Sequence, residues 1–151
     1  MQVRILMVCL GNICRSPLAE GILNHLTDES ILVDSAGTAG YHTGNPPDPR
    51  SVAVARKNDI DISRQRCRQF ETSDFDDFDY IFAMDRENLQ HLKRMARNEQ
   101  DLRKLSLFLD PQESGVSEVP DPYYGGEDGF EVVFDMIRTA CHRLSRQLGP
   151  Q

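Results

Sequence analysis

Four short runs of apolar and β-branched residues recur along the chain, each ending in turn-forming residues, and stretches with helical period stand between them. The runs are Gln2 to Val8, Ile31 to Val33, Tyr80 to Met84 and Leu105 to Leu109. All are of strand length and too short for buried helices. Leu18, Ala19, Ile22, Leu23 and Leu26 share one helical face after the first run, with Ser16 as the expected N-cap and Pro17 at the first helical position. Asp48-Pro49 opens a second helix reaching about Asn58, and Asp85 caps a third carrying Leu89, Leu92 and Met95. Phe130, Val133, Phe134, Ile137, Cys141, Leu144 and Leu148 trace the last helix. Residues 64–78 are polar and broken, with room for one short helix, and residues 110–129 read as a long loop. Strands alternating with helices predict an α/β three-layer sandwich around a central four-stranded parallel sheet, joined by right-handed crossovers. Ligands in such folds sit beyond the carboxyl ends of the strands, and Cys9 falls just past the first.

The chain of 151 residues reads as a single domain, 1–151. No apolar run approaches the ~18 residues of a membrane span. The run from Ile5 to Leu10 is too short for a signal peptide, so a cytoplasmic protein that does not bind membranes is expected. A formal net charge of −7 argues against nucleic acid or an anionic lipid surface as partner. A site for anions would have to concentrate positive charge against that field. The four cysteines, at 9, 14, 67 and 141, are expected to be reduced thiols.

Val8-Cys9-Leu10-Gly11-Asn12-Ile13-Cys14-Arg15-Ser16-Pro17 is the stretch with chemistry in it. Cys9 and Cys14, taken singly, read as small buried apolar side chains. Zinc fits poorly, because His25, His42, His91 and His142 are scattered and no close Cys/His pair occurs. A nucleotide-binding loop would end in Gly-Lys-Ser/Thr, which is missing. An anion cradle fits better: a strand, a tight loop and a helix start aim successive N–H groups inward, with the helix dipole behind them. Gly11 is free in conformation, Asn12 tolerates a left-handed turn, and Arg15 offers a fork matched to phosphate. The same positive surroundings would activate the Cys9 thiol as a nucleophile. Asp121, braced between Pro120 and Pro122, is either a turn aspartate or the proton donor such a nucleophile needs.

With these two motifs, Cys9 to Pro17 and Asp121-Pro122-Tyr123, the chain resembles the low-molecular-weight protein tyrosine phosphatases over essentially its full length. The resemblance implies hydrolysis of phosphotyrosine proteins or small aryl phosphates through a phosphocysteine intermediate. Cys9 would be the nucleophile, Arg15 the anion clamp and Asp121 the general acid and then base. Leu10, Gly11, Asn12, Ile13, Cys14 and Ser16 would bind phosphate, with Ser16 donating to the sulfur and Ser35 supporting Asn12. Tyr41, Tyr123 and Tyr124 would wall the entrance. It further implies a monomer without metal or cofactor, inhibition by phosphate and vanadate-like oxyanions, and a peroxide-induced Cys9–Cys14 link. One departure stands at Gln65, where eukaryotic members carry a histidine. Arsenate reductases of similar fold use a second cysteine pair in mid-chain, where only Cys67 lies here; related arginine phosphatases carry threonine in place of Ile13.

Overall fold

The computed structural model describes residues 2–123 and 127–148. Along the chain run β1 (Val3–Cys9), α1 (Arg15–Leu26), β2 (Ile31–Gly37), α2 (Pro49–Lys57) and the short α3 (Asp74–Asp77). Then come β3 (Tyr80–Ala83), α4 (Arg86–Met95), α5 (Glu99–Lys104), β4 (Leu105–Leu107), the short α6 (Pro111–Ser114) and α7 (Glu127–Leu148). The strands form one sheet in the order β2-β1-β3-β4, every pair parallel. This is the expected layered α/β architecture with a loop after the first strand. Among the described residues no helix is long and apolar enough to cross a membrane.

β1 lies at the centre, and its sequence says why. Ile5 to Cys9 are buried without interruption, as in a parallel strand covered on both faces. Ile5, Met7 and Cys9 join the core formed with α1, α2 and α7. Leu6 and Val8 point the other way, into a smaller core with Phe70, Phe75, Phe78 and Leu92. Strand alternation thus puts the Cys9 side chain on the face that α1 and α7 cover.

Several local expectations change. β2 continues to Gly37, four residues past its apolar run, because it keeps register with β1 as far as the Cys9–Gly37 pair. Pairing with a central strand overrides the weak strand preference of Asp34-Ser35-Ala36-Gly37. α1 begins at Arg15 with Cys14 in the cap position, so Ser16 is not the N-cap and Pro17 is not the first residue. The Ser16 hydroxyl is engaged elsewhere, as described below. Residues 110–129 are not one loop: α6 occupies part of them and α7 starts at Glu127. The caps expected of Asp48 and Asp85 do form, on the N–H groups of Arg50 and Asn88.

Gly37 ends β2 where the backbone crowds. A Cβ there would lie 2.7 Å from the Leu10 carbonyl oxygen and 3.1 Å from the Asn12 nitrogen, and backbone atoms cannot swing aside. Gly37→Ala should therefore cost about 1–3 kcal/mol of stability and displace the 10–12 segment. Urea unfolding together with amide hydrogen exchange at residues 10–12 would check both effects; an alanine variant equal to wild type in each would show that the loop has slack.

Candidate active site

The turn from β1 into α1 has its carbonyls facing away from its centre. The Cys9 and Leu10 carbonyls accept from the N–H groups of Thr38 and Ala39, both at 2.9 Å, and that of Ile13 from Asp48 at 2.8 Å. The Asn12 carbonyl accepts from the Cys67 thiol at 2.8 Å and that of Cys14 from the Ser51 hydroxyl at 3.2 Å. The N–H groups of Gly11, Asn12, Ile13 and Cys14 have no acceptor among the described residues. Such convergent donors at a helix start are what binds an oxyanion. The hollow they border has a volume of about 260 Å³, and Cys9 and Arg15 line it.

Asn12 makes this turn possible. Its φ of 59° is left-handed, and its side chain is buried and fully bonded. The amide nitrogen donates to Ser16 Oγ at 2.8 Å and to Ser35 Oγ at 2.9 Å, while Oδ1 accepts the Arg68 N–H at 2.9 Å. Ser16 Oγ lies 3.0 Å from Cys9 Sγ. A serine that supports both the turn and the sulfur has no hydroxyl left for capping α1.

Arg15 is buried, and burial opposes its charge. The negative groups at Cys9, Asp85 and Asp121 outweigh that opposition and hold its pKa above the ordinary arginine value. Nη1 donates to Asp85 Oδ2 at 2.6 Å and to the Val119 carbonyl at 3.0 Å. Asp85 thus caps α4 with one oxygen and orients Arg15 with the other. Nη2 lies 3.8 Å from Asp121 Oδ2, placing the carboxylate across the hollow from α1. The loop bearing Asp121 is tied down through Val119, whose N–H donates to the Met84 carbonyl at 2.8 Å. Asp121 Oδ1 in turn accepts the Tyr123 N–H at 3.0 Å.

The expected residues therefore come together. Cys9, Leu10, Gly11, Ile13, Cys14, Arg15, Tyr41, Asp121 and Tyr123 all line the hollow. Asn12, Ser16 and Ser35 lie behind it. Tyr41 is 77% exposed, a rim residue with little to hold it. Tyr124 lies outside the described residues. Sequence reading missed His42, which lines the hollow with its Cδ2 3.2 Å from where a Gly11 Cβ would be. It also missed Arg50, which holds Asp48, donates to the Tyr123 carbonyl at 3.1 Å and stacks on Phe130. The run Tyr41-His42 to Asp48-Pro49-Arg50 holds a histidine and an arginine in a turn-rich segment, but nothing local shows where that segment folds back. Among the described residues no group of three or more His, Cys, Asp or Glu is placed to share a metal ion.

Three groups in and behind the turn have displaced titrations. Burial, then the charges of Asp48 and Cys9, pushes the Cys14 thiol well above its usual range. Burial, then Cys9, pushes Cys67 up to about 11. All four cysteines are free thiols. Glu20 is pushed up to about 7, by burial first and then by Asp34, against the Ser35 hydrogen bond and Arg68. A carboxyl raised in this way binds a proton that the unfolded chain, with a value near 4.5, has released. Its contribution to stability therefore declines as pH rises from about 4.5 to about 7. Glu20→Gln should remove that decline. Relative to wild type, the variant should gain about 3 kcal/mol between pH 4.5 and pH 8, read from urea unfolding at each pH. A pH-independent difference would show that Glu20 titrates alike in both states.

Comparison with known proteins agrees with this geometry. The family model for low molecular weight phosphotyrosine protein phosphatase matches residues 4–151. The human protein of that name is 42% identical over 145 residues, covering 91% of this chain and 90% of its own. The crystal structure of YfkJ from Bacillus subtilis superposes with a TM-score of 0.90 at 40% identity, over 98% of this chain and 95% of that one. Wzb from Vibrio vulnificus, solved in complex with benzylphosphonate, gives 0.88 at 29% identity, over 98% of this chain and all of its own. With a cysteine, an arginine and an aspartate around an amide-lined hollow, and relatives matched over nearly their whole length, the chain belongs to the low molecular weight phosphotyrosine protein phosphatase family.

Proposed function

We propose that this single-domain enzyme hydrolyses phosphotyrosine, and small aryl phosphates with it, through a phosphocysteine intermediate and without a metal ion. The observation that carries the reading is the set of unpaired amide donors from Gly11 to Cys14 beside the Cys9 sulfur. A phosphoryl group there would have its equatorial oxygens on the amides and on Arg15. Asp85 and Val119 engage only Nη1, which leaves Nε and Nη2 for a two-point grip. The Cys9 thiolate attacks phosphorus as the bond to the phenolic oxygen breaks, and Asp121 gives that oxygen its proton. Asp121 then takes a proton from water, whose oxygen displaces the Cys9 thiolate and forms inorganic phosphate. Ser16 donates to the sulfur as it leaves. The donors stay fixed while charge on the transferring group redistributes, so the cradle supplies the electrostatic stabilisation.

Ile13, Tyr41 and Tyr123 give the mouth an apolar and aromatic lining suited to a phenyl ring. The benzylphosphonate in the Vibrio vulnificus relative has the same aryl-plus-oxyanion form. Assay of phosphotyrosine, phosphoserine and phosphoarginine peptides in chelator tests the substrate class and the metal independence together. Turnover of phosphotyrosine alone is expected, competitively inhibited by phosphate and vanadate; loss of activity in chelator would overturn the metal-free mechanism.

Cys9→Ser should abolish turnover yet keep vanadate binding, since the cradle is backbone plus Arg15. Arg15→Lys should recover little, because a point charge does not replace a fork. Asp121→Ala should slow phenyl phosphate by ~10²–10⁴-fold and p-nitrophenyl phosphate far less, since a good leaving group needs no proton. Equal losses would move the acid elsewhere.

Peroxide should convert the Cys9 thiolate to a sulfenic acid, which the Cys14 thiol traps as a disulfide with release of water. Mass spectrometry should find the Cys9–Cys14 link, phosphate should protect, and Cys14→Ser should recover poorly with reductant. Full recovery of that variant would leave Cys14 a packing residue.

A further inference from the structure

The hydrogen-bond chain beneath Cys9 continues past Ser35. Ser35 Oγ donates at 2.6 Å to Oε1 of Glu20, which lies in α1 one turn beyond Ser16. Arg68 fixes the direction of the bonds that Asn12 makes, and the thiolate form of Cys9, which can only accept, fixes that of the last. Asn12 Oδ1 accepts the Arg68 N–H, so the Asn12 amide nitrogen is the donor to both hydroxyls. Each hydroxyl oxygen accepts from Asn12, and each must place its one hydrogen elsewhere. For Ser35 the acceptor is the Glu20 carboxylate; for Ser16 it is the Cys9 sulfur in the thiolate form that the nucleophile takes. Without the carboxylate, the Ser35 hydrogen has lost its acceptor. Rotation of that hydroxyl then disturbs the bond that holds Asn12 in its left-handed conformation, and with it the aim of Ser16.

We propose that Glu20 is a positioning residue for the nucleophile, fixing through Ser35 and Asn12 the direction in which Ser16 donates to Cys9. The inference rests on Cys9 being the nucleophile. The charged groups facing Glu20 are Asp34 from β2 and Arg68 from the segment before α3, and Arg68 is shared between Asp34 and Asp74. Gln65 covers the Pro17–Gly21 side of α1: its amide nitrogen donates to the Pro17 carbonyl at 3.0 Å, and its buried Oε1 has no partner among the described residues. With a carboxyl that titrates at about 7, the forced direction of the Ser35 bond is lost on the acid side of neutrality.

Stopped-flow hydrolysis of p-nitrophenyl phosphate by single and double variants tests this, with Cys9→Ser as control. Glu20→Ala should lower kcat about tenfold, the equivalent of one charge-assisted hydrogen bond, without raising KM. It should release a burst of one nitrophenolate per site, because the step in which Cys9 leaves has slowed. Ser35→Ala should behave alike, and the double variant should be no worse than the poorer single one. Glu20→Gln, which retains an acceptor of the same shape, should recover most of the turnover and lose the inflection of kcat near pH 7. It also serves as the readout if the alanine variant does not fold. Wild-type kcat in Glu20→Ala, multiplying losses in the double variant, or a glutamine variant as damaged as alanine with an unchanged pH profile would each overturn the proposal. Turnover by Cys9→Ser would overturn it along with the nucleophile assignment, whereas an inactive Cys9→Ser beside a normal Glu20→Ala would overturn this proposal alone.

Discussion

Everything in the site depends on one residue held on the left-handed side of backbone space. Asn12, at φ 59°, is where the chain leaving β1 reverses so that its carbonyls face the protein and its amides face the hollow. A non-glycine residue in that region is strained by about 1–3 kcal/mol. Three hydrogen bonds from its buried amide, each worth about 1 kcal/mol, offset that strain. They reach α1, β2 and the segment after α2, so the conformation is imposed by three parts of the chain at once. The Cys67 thiol takes up the Asn12 carbonyl and closes the arrangement from behind. The phosphate recognition by backbone proposed above would therefore be a property of the packed molecule, prepared before any anion arrives.

Charge is arranged with the same economy. The chain carries a net −7, and the guanidinium meant for an anion is already between two carboxylates, Asp85 and Asp121. The two have different work. Asp85 binds Nη1 at 2.6 Å and is fixed in turn by the Asn88 N–H that it caps, so it sets the orientation of Arg15. Asp121 stands off from Arg15 at 3.8 Å on a proline-braced loop, where the proposed mechanism has it exchange a proton with the leaving group. An arginine held by a rigid partner meets its substrate in a single orientation, which a flexible surface arginine cannot do.

How much of this was legible beforehand can be judged from individual elements. The β1 run is apolar because both its faces are covered, and the α7 face repeats every three to four residues because one side packs on the sheet; both patterns are local consequences of burial. The end of β2 was not legible. Asp34 to Gly37 have little strand preference of their own and are extended because β1 lies alongside. Ser16 before Pro17 has the local form of a helix cap, yet its hydroxyl supports Cys9 and Asn12. A cap signal is a weak preference, and a buried sulfur and amide competed for the same oxygen.

By itself the sequence determined the four strands in order, the long helices α1, α2, α4 and α7 between and after them, the parallel sheet and the segment proposed to carry the chemistry, but not the short α5 and α6. Periodicity, turn residues and the spacing of Cys9, Gly11, Asn12 and Arg15 are all short-range information. Only the tertiary structure decided that Asp85 orients Arg15, that Arg68 fixes which way the Asn12 amide faces, that His42 fills the space beside Gly11, and that Glu20 ends the chain of hydrogen bonds under Cys9. Each of these joins parts of the chain separated in sequence, most of them by tens of residues. Even Glu20, close to Cys9 in sequence, reaches it only through Ser35 on another strand. Hydrogen bonds of this kind form where packing has already excluded water and left a buried donor without an acceptor, a condition that exists only after the layers have closed.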